Sequence, residues 1–130
     1  MLLIGGGLGW GVIVLSSILT GRFALENDNR FVEFHVCRDG THYVPVQTIP
    51  MGVKTLYVCG IIEGRGPRGA VLYLYSNNQL IDVDYYFEHY PGIFFERFSL
   101  DQGLQVGQYQ IKASSAKLVI AETEFSVVKQ

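Results

Sequence analysis

Alternation of apolar and polar residues is the feature that most constrains what this chain can fold into. Leu80 to Glu88 alternates from Ile81 onward, with Tyr86 on the polar side. Successive side chains of a β-strand point to opposite faces of a sheet, so the pattern predicts a strand with one buried face. We expect its apolar set to be inside. The predicted inner residues are Ile81, Val83, Tyr85 and Phe87, and the predicted outer residues are Asp82, Asp84, Tyr86 and Glu88.

Similar short strands recur about every ten residues, with turn residues such as Asp39-Gly40 and Pro91-Gly92 between them. The chain has 8 Tyr and 8 Phe and shows no long helical periodicity after Arg22, which is typical of a sheet protein. Pro45 predicts that its strand lies at a sheet edge. The predicted strands are 31–37, 43–48, 54–62, 70–75, 80–88, 93–100, 107–113 and 117–128. Their spacing is that of a β-sandwich.

The segment Leu2 to Thr20 contains no charged residue. As a helix it would be about 28 Å long at ~1.5 Å per residue, close to the thickness of a bilayer core. We expect a transmembrane helix over 1–22, a linker over 23–30 and a sandwich domain over 31–130. A cleaved signal peptide is an alternative, although no basic residue precedes Leu2. Small-xxx-small spacing predicts helix packing at Gly5, Gly7, Gly9 and Gly11.

The stretch from Leu104 to Ile111 resembles the Leu-x-x-Gly-x-Tyr segment of immunoglobulin-like and fibronectin-like domains. The resemblance implies a structural tyrosine corner made by Leu104, Gly107 and Tyr109. The predicted fold class is therefore all-β: an immunoglobulin-like antiparallel β-sandwich with one N-terminal transmembrane helix. Ile111 stands where antibody-type domains have a cysteine, which excludes their inter-sheet disulfide.

The two cysteines, Cys37 and Cys59, lie in predicted strands. The sequence leaves two alternatives for them: a disulfide or a pair of buried free thiols. A zinc or copper site that combines these cysteines with His35 and His42 is a weaker hypothesis, because no C-x-x-C pair is present. We expect no metal and no cofactor.

Several functional classes are disfavoured. The net charge of −2 comes from interspersed acids and bases, which argues against nucleic acid as a partner. The loop Gly64 to Gly69 lacks the Lys-Ser/Thr of a phosphate-binding loop, and neither G-x-S-x-G nor H-E-x-x-H occurs. We therefore expect a non-enzyme. Aromatic residues left on the polar side of their strands or in a turn predict a partner-binding surface at Tyr86, Tyr90 and Phe95.

These features predict a non-enzymatic, single-pass membrane protein that acts as an accessory or interaction subunit of a larger membrane complex. Its expected partners are the lipid bilayer and integral membrane subunits, and its sandwich is expected to be periplasmic or extracellular. One alternative is a pilin-like filament subunit with an apolar N-terminal helix. Another is a periplasmic ligand- or metal-binding module.

Overall fold

A computed structural model describes residues 29–129, except for the Tyr85 side chain, and this part of the chain forms nine strands in two sheets. The strands are β1 (Arg30–Cys37), β2 (Pro45–Val46), β3 (Thr48–Pro50), β4 (Thr55–Glu63), β5 (Arg68–Ser76), β6 (Gln79–His89), β7 (Gly92–Ser99), β8 (Gly107–Ser115) and β9 (Leu118–Val128). The four-stranded sheet has the order β2-β1-β4-β7 and the five-stranded sheet the order β3-β9-β8-β5-β6. Neighbouring strands are antiparallel except for β3 and β9, which are parallel.

The inner faces of the two sheets share one hydrophobic core, so the fold is a β-sandwich. Leu72 and Ile111 from the five-stranded sheet are fully buried, as is Val58 from the four-stranded sheet. Each large side chain buried in this way stabilises the fold by roughly 1.5–3 kcal/mol. Tyr109 and Phe125 are also buried, which confirms their predicted inward orientation.

The predicted strands are confirmed with boundaries that shift by at most two residues, with one exception. The predicted strand 43–48 is replaced by two short strands, because the chain leaves the four-stranded sheet after Val46 and joins the other sheet at Thr48. Pro45 lies in β2 at a sheet edge, as predicted. The predicted inward orientation of Val32 is wrong. A register irregularity between Phe31 and Glu33 leaves Val32 39% exposed.

The predicted fold class needs correction, because it included an N-terminal transmembrane helix. Residues 29–129 are all-β, and no helix among them is long and apolar enough to cross a membrane. The alternating pattern of these residues favours strands throughout, which is why the sandwich forms without a helix. The segment Leu2–Thr20, with the glycines predicted to pack against another helix, lies outside the described residues.

Asn29, in the predicted linker over 23–30, fixes the glycine-rich loop between β4 and β5. The Asn29 side-chain oxygen accepts hydrogen bonds from the backbone N–H groups of Arg65 (2.9 Å) and Gly66 (3.0 Å). Its amide nitrogen donates to the Pro67 carbonyl at 3.1 Å. The glycine-rich loop is therefore tied to the start of β1.

Tyr109 makes two hydrogen bonds with the backbone of Gln105. Its hydroxyl donates to the Gln105 carbonyl at 2.7 Å, and the Gln105 N–H donates back to the hydroxyl at 3.2 Å. The Tyr109 ring stacks on Phe125 with centroids 5.3 Å apart. Leu104 is also buried, and its N–H donates to the Val53 carbonyl at 3.0 Å. These contacts fix the loop that enters β8.

Cys37 and Cys59 form a disulfide between the neighbouring strands β1 and β4, with their Cα atoms 5.8 Å apart. Cys37 is opposite Tyr57 and Cys59 is opposite His35, so the bridge is diagonal across one strand pair. Both cysteines are at most 1% exposed. The bridge lies within one sheet and does not join the two sheets.

Replacing Tyr109 with Phe is expected to lower the free energy of unfolding by about 1 kcal/mol, because the Gln105 carbonyl loses its donor while the ring stays packed. Urea denaturation of both proteins measures this difference. An unchanged denaturation midpoint would show that the corner hydrogen bond does not contribute to stability.

The turn between β8 and β9 is expected to tolerate stabilising substitutions. Ala116 (φ 52°) and Lys117 (φ 69°) both have left-handed backbones, which cost alanine and lysine more than asparagine and glycine. The double variant Ala116→Asn/Lys117→Gly should raise the free energy of unfolding by roughly 1 kcal/mol. Thermal denaturation provides the measurement. Asn78→Gly is the control and should give a smaller gain, because asparagine already suits the equivalent turn after β5.

Candidate interaction surface

An exposed apolar surface lies on the outer side of the five-stranded sheet, where β5 pairs with β6. The residues that alternate with Tyr73 and Tyr75 in β5 are fully buried, so both tyrosines lie on the outer face. The register places Val83 opposite Tyr73 and Leu80 opposite Tyr75. Together with Tyr86, these residues form what we call the tyrosine face: Tyr73, Tyr75, Leu80, Val83 and Tyr86.

The tyrosine face combines large apolar side chains with rigid aromatic rings. Tyr86 is 63% exposed, Leu80 50% and Val83 39%. The rings of Tyr73 and Tyr75 lie 6.5 Å apart, and both residues are half-buried. Tyrosine supplies a large contact area with a polar tip and is enriched at protein interfaces. The composition of the face therefore suits protein recognition.

Two register irregularities in the β5–β6 pairing decide which β6 residues reach this face. Asp82 is opposite Leu74 and Asp84 is opposite Leu72, so both aspartates share the inner side of the sheet with buried leucines. The predicted inward orientation of Ile81 and Val83 is wrong, since these residues are 47% and 39% exposed. A second irregularity, between Asp84 and Phe87, changes the alternation again and leaves Phe87 buried as predicted.

Tyr86 occupies its position because Gly69 leaves room for it. Ala70 is fully buried on the inner face, so its neighbour Gly69 presents its outer side to solvent. A Cβ atom on Gly69 would collide with the Tyr86 phenol, which lies over the glycine. An aromatic ring over a strand glycine covers backbone that would otherwise be bare. Gly69 thus positions the most exposed tyrosine of the face.

The backbone edges beside this face are protected against strand addition. β6 and β7 are the terminal strands of their sheets. Asp82 and Asp84 place carboxylates on the inner side of β6, and its irregular register interrupts a continuous ladder. In β7, Glu96 is opposite the buried Val58 and lies 2.6 Å from His89 Nε2. Inward charges and bulges discourage edge pairing. Recognition is therefore favoured through side chains of the face.

The structure separates the three residues predicted to bind a partner. Tyr86 belongs to the tyrosine face, and Tyr90 is 75% exposed in the turn between β6 and β7. Phe95 is half-buried on the outer side of the other sheet, opposite Cys59, where it lines a depression of ≈ 270 Å³. The remaining members of the tyrosine face were missed from sequence, although the strict alternation of leucine and tyrosine in β5 was a usable signal.

Polar side chains on the outer side of the four-stranded sheet hold the loop between β1 and β2. The Tyr43 hydroxyl donates to Glu33 at 2.5 Å, and His35 Nε2 lies 3.3 Å from the same carboxylate oxygen. These hydrogen bonds, with that from Tyr43 foremost, hold the pKa of Glu33 below its ordinary value. Burial, followed by the bond to Glu33, raises the pKa of the Tyr43 phenol well above its ordinary value. The carboxylate thus serves as a fixed acceptor.

Asp39 organises the same loop from its other end. Its Oδ1 accepts hydrogen bonds from the backbone N–H groups of Thr41 (2.9 Å) and His42 (2.8 Å). These two bonds hold the pKa of Asp39 well below its ordinary value. Gly40 packs against the Tyr57 ring. These contacts hold the loop between β1 and β2 against the four-stranded sheet.

The structure does not support the metal site considered from sequence. The disulfide removes Cys37 and Cys59 as thiolate ligands for a site with His35 and His42. Among residues 29–129, no group of three or more His, Cys, Asp and Glu side chains is arranged to hold a metal ion. No protein-family model matches the chain, and no curated protein matches it as a relative.

Two glycine substitutions are expected to lower stability by different amounts, because Gly69 lies under an exposed tyrosine ring and Gly60 lies against a buried phenylalanine ring. Gly69→Ala should displace the exposed Tyr86 and lower stability by less than about 1 kcal/mol, because a flexible side chain can move aside. Gly60→Ala should cost roughly 1–3 kcal/mol, because its Cβ would meet the Glu33 backbone and the buried Phe94 ring. Thermal denaturation compares the two variants. Equal losses would contradict the different packing described at these glycines.

Proposed function

We propose that this chain is a non-catalytic interaction domain that binds a partner protein through the tyrosine face. The observation that carries the proposal is the grouping of Tyr73, Tyr75 and Tyr86 with exposed Leu80 and Val83 on one sheet surface. Exposed apolar patches of this kind commonly mark interaction sites, and tyrosine is frequent among residues that dominate binding energy.

The strand order supports the proposal that the sandwich is immunoglobulin-like. β1, β4 and β7 are neighbours in one sheet, while β9, β8, β5 and β6 are neighbours in the other. The hydrogen bond from Tyr109 to Gln105 lies at the start of β8, the penultimate strand, as in the tyrosine corner of that class. Because this architecture serves many unrelated functions, the proposed role rests on the surface and not on the fold.

The disulfide supports a location outside the reducing cytoplasm, since such bridges persist mainly in oxidising compartments. Cys37 and Cys59 are buried and joined within a small sandwich. We therefore propose that the domain is extracytoplasmic and contributes contacts to a larger assembly. The predicted contacts with a bilayer, with membrane subunits and within a filament depend on Leu2–Thr20, outside the described residues, and remain predictions.

Site-specific photocrosslinking in the source cells tests the proposal. A photoreactive phenylalanine analogue replaces Val83 in one variant and Val32 in another. Both valines are 39% exposed, and Val32 lies on the other sheet, so the two positions are matched. We expect a discrete protein adduct from position 83 and none from position 32.

The Tyr86→Ser change, added to the position-83 variant, should lower the adduct yield about tenfold, as expected for the loss of a central tyrosine contact. Its unfolding temperature should stay close to that of the parent, because Tyr86 is mostly exposed. Equal adducts from positions 83 and 32, or no adduct from position 83, would contradict the proposed surface.

A further inference from the structure

We propose that a polar depression at one end of the five-stranded sheet binds a neutral saccharide unit. The depression lies beside the turn between β5 and β6, and β8 and β9 form its floor. Its volume is ≈ 240 Å³. Pockets for drug-sized molecules are typically about 300–1,000 Å³, so this depression suits a single sugar ring. Its main lining residues are Tyr75, Asn77, Asn78, Gln108, Gln110 and Glu124.

The side-chain amides give the depression both hydrogen-bond donors and acceptors, as the hydroxyl groups of a sugar require. The Gln110 amide nitrogen donates a hydrogen bond to the Glu122 carboxylate at 3.2 Å. The Gln108 amide oxygen accepts a hydrogen bond from the Ser126 hydroxyl at 3.0 Å. These contacts orient each glutamine from the β9 side. The Gln108 amide nitrogen and the Gln110 amide oxygen make no further hydrogen bond within the described chain, so each can serve a ligand.

Tyr75 supplies an apolar wall beside these amides. The register places Tyr75 opposite Gln110, and Gln110 opposite Glu124, so the three residues form a row across neighbouring strands. A pyranose ring presents C–H groups on its faces, which pack favourably on an aromatic side chain. An aromatic ring beside amide groups therefore matches both the apolar and the polar surface of a sugar.

The charge of the depression favours a neutral ligand over an anion. Glu124 is the ionisable carboxylic acid among its described lining residues, which include no lysine or arginine. Outside this lining, Lys112 is opposite Glu122 in the β8–β9 pairing, and its Nζ lies over the Tyr75 ring, 5.2 Å from the ring centroid. A phosphate group would meet Glu124 without a guanidinium partner, which disfavours its binding.

The β5–β6 turn fixes the remaining two amides at the rim. Asn77 (φ 52°) and Asn78 (φ 65°) both have left-handed backbones, as a two-residue type I′ hairpin requires. Glycine is equally compatible with this backbone. The variant Asn78→Gly therefore removes one rim amide without disturbing the turn.

The test is a titration of the full chain, labelled with ¹⁵N, with cellobiose, lactose and N,N′-diacetylchitobiose at millimolar concentrations. At least one of these sugars should shift the backbone amide resonances of residues 75–78 and 108–110. Asn78→Gly should bind that sugar about three- to tenfold more weakly, the loss expected for one hydrogen bond.

Lys117→Gly is the matched control, because it makes the same type of change in the hairpin turn at the other end of the sandwich. It should bind the sugar as the parent chain does. The proposal is overturned if none of the three sugars shifts these resonances, if both glycine variants bind equally, or if inorganic phosphate shifts them and the sugars do not. Tyr75 belongs to both surfaces, but Val83 does not line the depression, so the photocrosslinking at position 83 and this titration can fail separately.

Discussion

The packing of the two inner sheet faces against each other is the constraint on which the rest of the structure depends. In β5, Leu72 and Leu74 have no exposed surface, and in β8 Ile111 is equally buried. A slip of one residue in either strand would expose these side chains and bury their polar neighbours. Their burial therefore fixes which residues lie outside, and it places Tyr73 and Tyr75 on the surface. The outer face is a consequence of the core.

β6 shows how far this constraint extends at the edge of a sheet. It pairs with β5 on one side only, so its register can deviate where fewer contacts oppose the change. The deviations place Asp82 and Asp84 on the inner side near solvent and leave Val83 outside. They also make the backbone edge a poor template for another strand. The same geometry thus protects the edge and creates an exposed apolar face.

Much of the fold could be predicted because its signals are local. The alternation in each strand, the turn residues and the Leu-x-x-Gly-x-Tyr spacing around Tyr109 each concern a few consecutive residues. The candidate surface was harder to predict from the sequence. Tyr86 was identified, but Phe95 lies on the opposite sheet and Val83 was assigned to the core. Those assignments depend on register between strands, and a bulge of one residue reverses them without leaving a clear mark in the sequence.

The sequence by itself determined the class of secondary structure and the approximate position of nearly every strand in residues 29–129. The tertiary structure decided that Cys37 meets Cys59, that Gly69 makes room for Tyr86, and that Gln108, Asn78 and Tyr75 border one depression. The reason is physical. Periodicity records which side of a strand is buried, whereas these contacts require the pairing order and register that only the packed sheets fix.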